Sequence, residues 1–88
     1  MSTVSVVIPT FNRENFIKQC VVSALQQSKT PDEVIVVDDG SSDKTWDILR
    51  RLGFSDSEDK GNSLRYIFQS NKGVSAARNL GIKASKYN

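Results

Sequence analysis

The sequence predicts an α/β domain built on a mostly parallel three-stranded sheet with flanking helices. Three observations predict it. Short apolar runs rich in β-branched residues fall at 4–8, 34–37 and 64–68, and each is followed by a segment with apolar residues at helical spacing. The order is therefore β-α-β-α-β-α, and alternation of this kind implies right-handed crossovers and parallel strands. Finally, the second run stops abruptly at Asp38-Asp39-Gly40-Ser41-Ser42-Asp43. That pattern is a buried strand delivering two acids to its carboxyl end, followed by a tight turn and a helix cap. In open α/β sheets ligands bind at that edge.

Val4-Ser5-Val6-Val7-Ile8 is almost continuously apolar, as expected of a strand covered on both faces. Pro9 should end it, because proline has no N–H for the ladder. Asn12 is the expected N-cap of the next segment. There Phe16, Ile17, Cys20, Val21, Ala24 and Leu25 recur at helical spacing, and the helix is expected to reach about Ser28. Lys29-Thr30-Pro31-Asp32 is the exit turn. Val34 to Val37 form the second strand. Ser41, Ser42 or Asp43 caps a second helix with an apolar face of Trp46, Leu49 and Leu52, and Gly53 ends it. Residues 54–63 are polar and acidic, a surface loop with little core content beyond Phe54. Leu64-Arg65-Tyr66-Ile67-Phe68 is a more mixed strand, expected near an edge. After a turn at 69–73, Val74, Ala77, Leu80 or Gly81, and Ala84 share one helical face.

With 88 residues the chain can form one small domain of thin stability margin. No apolar run approaches the ~18–20 residues of a membrane span, and the first residues lack a signal-peptide pattern. One cysteine, Cys20, excludes an internal disulfide, so the cytosol or the cytosolic face of a membrane is the expected location. The absence of histidine argues against a zinc site. Charge is uneven: residues 1–59 carry six Lys/Arg against ten Asp/Glu, whereas residues 60–88 carry six Lys/Arg and no acid. A solvated helix face accounts for the basic end, and no nucleic-acid partner is expected. A first strand this apolar calls for neighbours on both sides. The chain is thus expected to be part of a larger domain, the alternative being a small domain closed by dimerisation through an exposed sheet edge.

Three blocks in order resemble the start of a family 2 glycosyltransferase of the GT-A fold. They are Val4-Ser5-Val6-Val7-Ile8-Pro9-Thr10-Phe11-Asn12-Arg13, then Glu33 with Val34–Val37 and the run from Asp38 to Thr45, then Asn71-Lys72-Gly73-Val74-Ser75-Ala76-Ala77-Arg78-Asn79-Leu80-Gly81-Ile82. The resemblance implies a Rossmann-like β-α-β-α-β-α half of a GT-A domain over residues 1–88. In that family a later strand carries an Asp-x-Asp motif that holds a divalent metal, Mg or Mn, against the sugar-nucleotide diphosphate. A catalytic base and the acceptor-binding half come later still. The resemblance thus places the metal, the catalytic residues and any membrane association in a full-length enzyme. It implies that this chain alone recognises a UDP-sugar or UDP and is inactive in transfer.

The candidate nucleotide-binding residues are Pro9, Thr10, Phe11, Asp39, Asn71 and Arg78. Phe11 offers an aromatic face to a base, and such stacking is worth about 1–3 kcal/mol; the plain alternative is packing on the first helix. Thr10 and Asn12 offer hydrogen bonds or a cap. Adjacent in an extended strand, Asp38 and Asp39 point to opposite faces, so a joint carboxylate pair or metal site is disfavoured. The resemblance gives Asp39 the imide N–H of the base and leaves Asp38 to order the turn. Gly40-Ser41-Ser42 reads as capping rather than as a phosphate cradle. By resemblance Asn71 and Arg78 lie near the base and diphosphate, and arginine's forked donors suit phosphate. Lys72 is a solvated loop lysine or an added phosphate contact. Cys20 should pack as a small hydrophobe, and Trp46 should be core. A receiver-like signalling domain would need its acids after the first strand and an Asp after the third, which ends here in Phe68-Gln69. The other reading that survives is a non-enzymatic nucleotide-binding or self-assembly module.

Overall fold

The computed structural model describes residues 4–27, 30–56 and 63–85. The predicted first-helix end at Ser28, the Lys29 turn residue and most of the polar loop at 57–62 lie outside the described residues. The six expected elements form in the expected order: β1 (Ser5–Thr10), α1 (Ile17–Leu25), β2 (Glu33–Asp39), α2 (Thr45–Arg51), β3 (Leu64–Gln69) and α3 (Val74–Ala84). The strands are parallel in the order β1-β2-β3, with Thr10 opposite Asp38 and Asp39 opposite Gln69. Two crossovers of one hand, stepping the same way across the sheet, leave both connecting helices on one face. That face holds a core of Ile17, Val21, Val34, Val36, Leu49, Phe54 and Tyr66. The other face is covered by α3 through Ile35, Val37 and Ala77.

β1 has the open side expected within this chain, and the expectation that it is covered on both faces is met only in part. Only β2 is central, and Val34, Ile35, Val36 and Val37 are each 0% exposed. Full burial of side chains of this size is worth about 1.5–3 kcal/mol each. In β1 the residues from Ser5 to Pro9 are only half-buried, because among the described residues the strand has a neighbour on one side alone. A shallow hollow runs along its open flank, lined by Val6, Val7, Ile8, Pro9, Gln19, Cys20 and Ala24. Pro9 does not end the strand either. The Val4 carbonyl accepts the Asp32 and Glu33 N–H groups, so it points toward β2. Backbone polar groups alternate along a strand, so Val6, Ile8 and Thr10 also face β2 while Pro9 faces the open flank, where no ladder donor is required.

The first helix starts later than expected. Residues 14–16 form a turn, and Phe16 and Cys20 are exposed, so the buried stripe of α1 is Ile17, Val21 and Ala24. Val74 is likewise exposed at the start of α3, against the expected apolar face. Trp46 is partly buried and stacks on Tyr66 with ring centroids 4.4 Å apart. Among the described residues no helix is long and apolar enough to cross a membrane.

At the amino ends of the strands lies a buried polar cluster. The Ser5 hydroxyl donates to Glu33 Oε1 at 2.8 Å, as does the Ser85 hydroxyl. Arg65 Nη1 stands 3.7 Å from Glu33 Oε2 and donates to the Ala84 carbonyl at 2.7 Å. All three strands and the end of α3 meet there.

Gly81 sets how closely α3 approaches the sheet. A Cβ at that position would lie 2.2 Å from Val7 Cγ1 and 3.2 Å from Val37 Cγ2. Overpacking of this kind costs about 1–3 kcal/mol. Gly81→Ala is therefore expected to destabilise by that amount in denaturant unfolding, and by clearly less in a Val7→Ala background. Strictly additive effects of the two substitutions would contradict the contact.

Candidate functional site

The alternation of β2 divides its two terminal acids. Asp38 shares a face with Val34 and Val36, and its Oδ2 accepts the Tyr66 hydroxyl at 2.6 Å in the interior. Its Oδ1 accepts the Ser41 N–H at 2.9 Å and fixes the turn after β2. Burial and the bond to Asp38 push the Tyr66 phenol above its ordinary range, so Tyr66 acts as a donor at any working pH. Asp39 points to the α3 side. Its Oδ1 accepts the Lys72 N–H at 2.6 Å and Gln69 Nε2 at 2.8 Å, and its Oδ2 accepts the Gly73 N–H at 2.9 Å. These donors, led by the Lys72 amide and then Gln69, hold the Asp39 carboxyl below the usual carboxylate range against the opposing effect of burial.

The loop after β1 is tied to the loop after β2. The Asn12 N–H donates to Ser41 Oγ at 2.8 Å, and Asn12 Oδ1 accepts the Ser42 N–H at 2.9 Å. Asn12 adopts φ +50°, which suits asparagine, and it is not the cap of α1. Ser41 and Ser42 are engaged in this cross-link, and none of the three expected residues is the cap of α2: that position is Lys44, without a side-chain cap bond, and Asp43 serves the first helical residue from one position earlier. Its Oδ1 accepts the Thr45 N–H and hydroxyl at the entrance to α2, and its Oδ2 accepts the Glu14 N–H at 3.0 Å. Burial opposes ionisation of Asp43, but the hydrogen bonds outweigh it and its pKa lies below the ordinary value. Gly40 brings the third loop in: at φ +85°, a Cβ there would lie 3.0 Å from the Asn71 nitrogen.

Over this cross-linked edge opens a cavity of about 290 Å³, lined by Pro9, Thr10, Phe11, Arg13, Asp39, Val74 and Ala77. Phe11 is 45% exposed, with its ring available to a ligand rather than packed away. Thr10 is 6% exposed, and its hydroxyl oxygen is buried without a hydrogen-bond partner among the described residues. Of the six residues singled out from sequence, four line this cavity. Asn71 and Arg78 do not; both are exposed, Asn71 against Gly40 and Arg78 on α3.

The match to known proteins covers the same elements. The family model described as "Glycosyl transferase family 2" matches residues 5–88. This chain belongs to that family. Among its relatives are the uncharacterized glycosyltransferase EpsJ of Bacillus subtilis, 39% identical over 94% of this chain and 23% of the relative. Glycosyltransferase GlyA of Streptococcus pneumoniae is 37% identical over 90% of this chain and 11% of the relative. An uncharacterized glycosyltransferase of Rickettsia bellii is 43% identical over 93% of this chain and 11% of the relative. The chain spans about a tenth to a quarter of these three glycosyltransferases.

The divalent metal associated with family 2 glycosyltransferases does not fit the acids found here. Asp38 and Asp39 face opposite sides of the sheet and each is occupied by N–H or O–H donors. Among the described residues no three His, Cys, Asp or Glu side chains converge. Sequence reasoning gave no role to Arg13, Val74, Gln69 or Tyr66, all of which the structure brings to this edge. The signals were weak but present. Arg13 lies three residues beyond Thr10 in the same loop, and Gln69 is the register partner of Asp39.

Tyr66→Phe removes the donor from Asp38 and leaves a buried oxygen unmatched. It is expected to cost about 1–3 kcal/mol of stability, read as a lower denaturant midpoint with an unchanged slope. An unchanged midpoint would show that water replaces the phenol.

Proposed function

We propose that this chain is the amino-terminal, nucleotide-recognising part of a glycosyltransferase whose donor is a UDP-sugar. The observation that carries the reading is one cavity at the carboxyl edge that brings the exposed Phe11 ring together with the Asp39 carboxylate and Arg13. The exposed ring supplies a stacking surface for a planar base. Three donors fill three of the roughly four acceptor sites of the Asp39 carboxylate, leaving one for a base N–H. Arg13 at the rim provides the forked cation that suits a diphosphate. Asn71 and Arg78 lie outside the cavity, and in this reading they act only when a longer ligand extends toward α3.

In the whole enzyme an acceptor hydroxyl displaces the diphosphate from the anomeric carbon. The residues present here bind and orient the donor; the base and the metal ligands belong to other parts of the protein. Self-association through the open flank of β1 is the second reading, and the half-buried Val6, Val7 and Ile8 along that flank favour it.

A proton–nitrogen NMR titration with UDP, compared with inorganic pyrophosphate, tests the first reading. Localised shifts at Phe11, Thr10 and Asp39 that need the base and are insensitive to magnesium are expected. Phe11→Ala should weaken binding roughly 5- to 150-fold. Equal binding by the alanine variant would remove the main support for the site. A dispersed spectrum that UDP does not move, with concentration-dependent sedimentation, would favour self-association.

The 88-residue chain on its own is expected to transfer no sugar from a UDP-sugar to any acceptor above a buffer blank. Measured turnover would overturn the assignment of catalysis to other parts of the protein.

A further inference from the structure

Asp39 is held by three donors, and only one of them is a side chain. The Lys72 and Gly73 contributions are backbone N–H groups; the third is Nε2 of Gln69, at the last position of β3. Gln69 does not line the cavity beside Phe11. It borders a separate hollow with Lys72, Ala76, Leu80 and Lys83. Its amide therefore reaches Asp39 without touching the space a ligand would occupy. Asp39 itself does line the cavity.

We propose that Gln69 is a positioning residue that determines which base the cavity accepts. By donating to Asp39 it keeps that carboxylate a pure acceptor aimed at the cavity, so a base offering a ring N–H is taken and one offering a ring nitrogen lone pair is refused. This rests on the nucleotide reading of the cavity. An ionised carboxylate has no proton to give, whereas a protonated carboxyl can donate to a ring lone pair. Selection therefore depends on Asp39 staying charged, which the amide favours by donating to the charged form. The charged groups placed about Asp39 are Arg13, which lines the same cavity, Lys72, whose amide it accepts, and Asp38, which faces the other side of the sheet; Arg78 on α3 lies outside the cavity.

Two substitutions separate the roles. Gln69→Leu removes the donor, and Gln69→Glu, nearly isosteric, sets a second carboxyl against Asp39 so that the two tend to share a proton. The Asp39 carboxyl of the free chain is followed by carbon NMR as pH falls, and UDP and CDP affinities are measured across the same range. The Asp39 midpoint should rise in both variants. Binding that needs the ionised form is present above the folded-state pKa and lost as pH drops through it, so this loss should move to higher pH. UDP should bind about tenfold more weakly to the Leu variant, and the preference for UDP over CDP should narrow in the Glu variant. An unmoved Asp39 midpoint in a folded variant overturns the hold of Gln69 on Asp39, whatever the wild type binds. An unchanged UDP-to-CDP ratio in both variants overturns its part in selection. Should the Leu variant not fold, the Glu variant alone decides both points. If the wild type binds neither nucleotide while the midpoint still moves, the nucleotide reading and base selection fall together and only the hold on Asp39 stands.

Discussion

The architecture of the carboxyl edge depends on one geometric constraint: consecutive residues of a strand face opposite ways. Because β2 is the central strand, its last two residues are inserted into two different layers. Asp38 gathers the turn after β2 and the phenol of Tyr66. Asp39 gathers the loop that leads into α3. Two carboxylates that would repel each other if they shared a pocket instead organise two loops, each held by N–H and O–H donors.

Those loops then constrain each other. Asn12 bridges to Ser41 and Ser42, Asp43 reaches back to Glu14, and Gly40 allows Asn71 to approach. Preorganisation of this kind reduces the ordering cost of binding at the edge. It also explains why polar loop residues are so densely used: backbone groups in a tight loop cluster need partners, and short Asn, Ser and Asp side chains supply them.

Much of this was legible in the sequence. The order of elements, the parallel sheet, the edge position of β3 and the division of Asp38 from Asp39 followed from apolar periodicity and strand alternation. Four of the cavity residues were named from the carboxyl ends of the strands together with the family resemblance. The misreadings share a cause. Phe16, Cys20 and Val74 fit a helical stripe, yet they are exposed, and periodicity alone does not reveal which face will be covered. Pro9 reads as a terminator unless the open side of the strand is known. Asn12 has the composition of a cap, but its side chain is claimed by a loop some thirty residues away. Gln69 could be found only from the register that sets it opposite Asp39.

The polar cluster at the far end of the sheet bears on how the chain is made. The hydroxyls of Ser5 and Ser85 are 2.8 Å apart and both reach Glu33, so the first strand is secured by a residue eighty positions later. Closing a contact of that span costs more entropy than any local pairing and rewards the chain only late. During synthesis β1 and β2 emerge long before α3, and a ribosome adding about 5–20 residues each second leaves their outer face bare for several seconds. Newly made chains therefore pass through a stage in which Val7 and Val37 await the helix that covers them. The order of synthesis, rather than the finished packing, makes that interval the most vulnerable to aggregation.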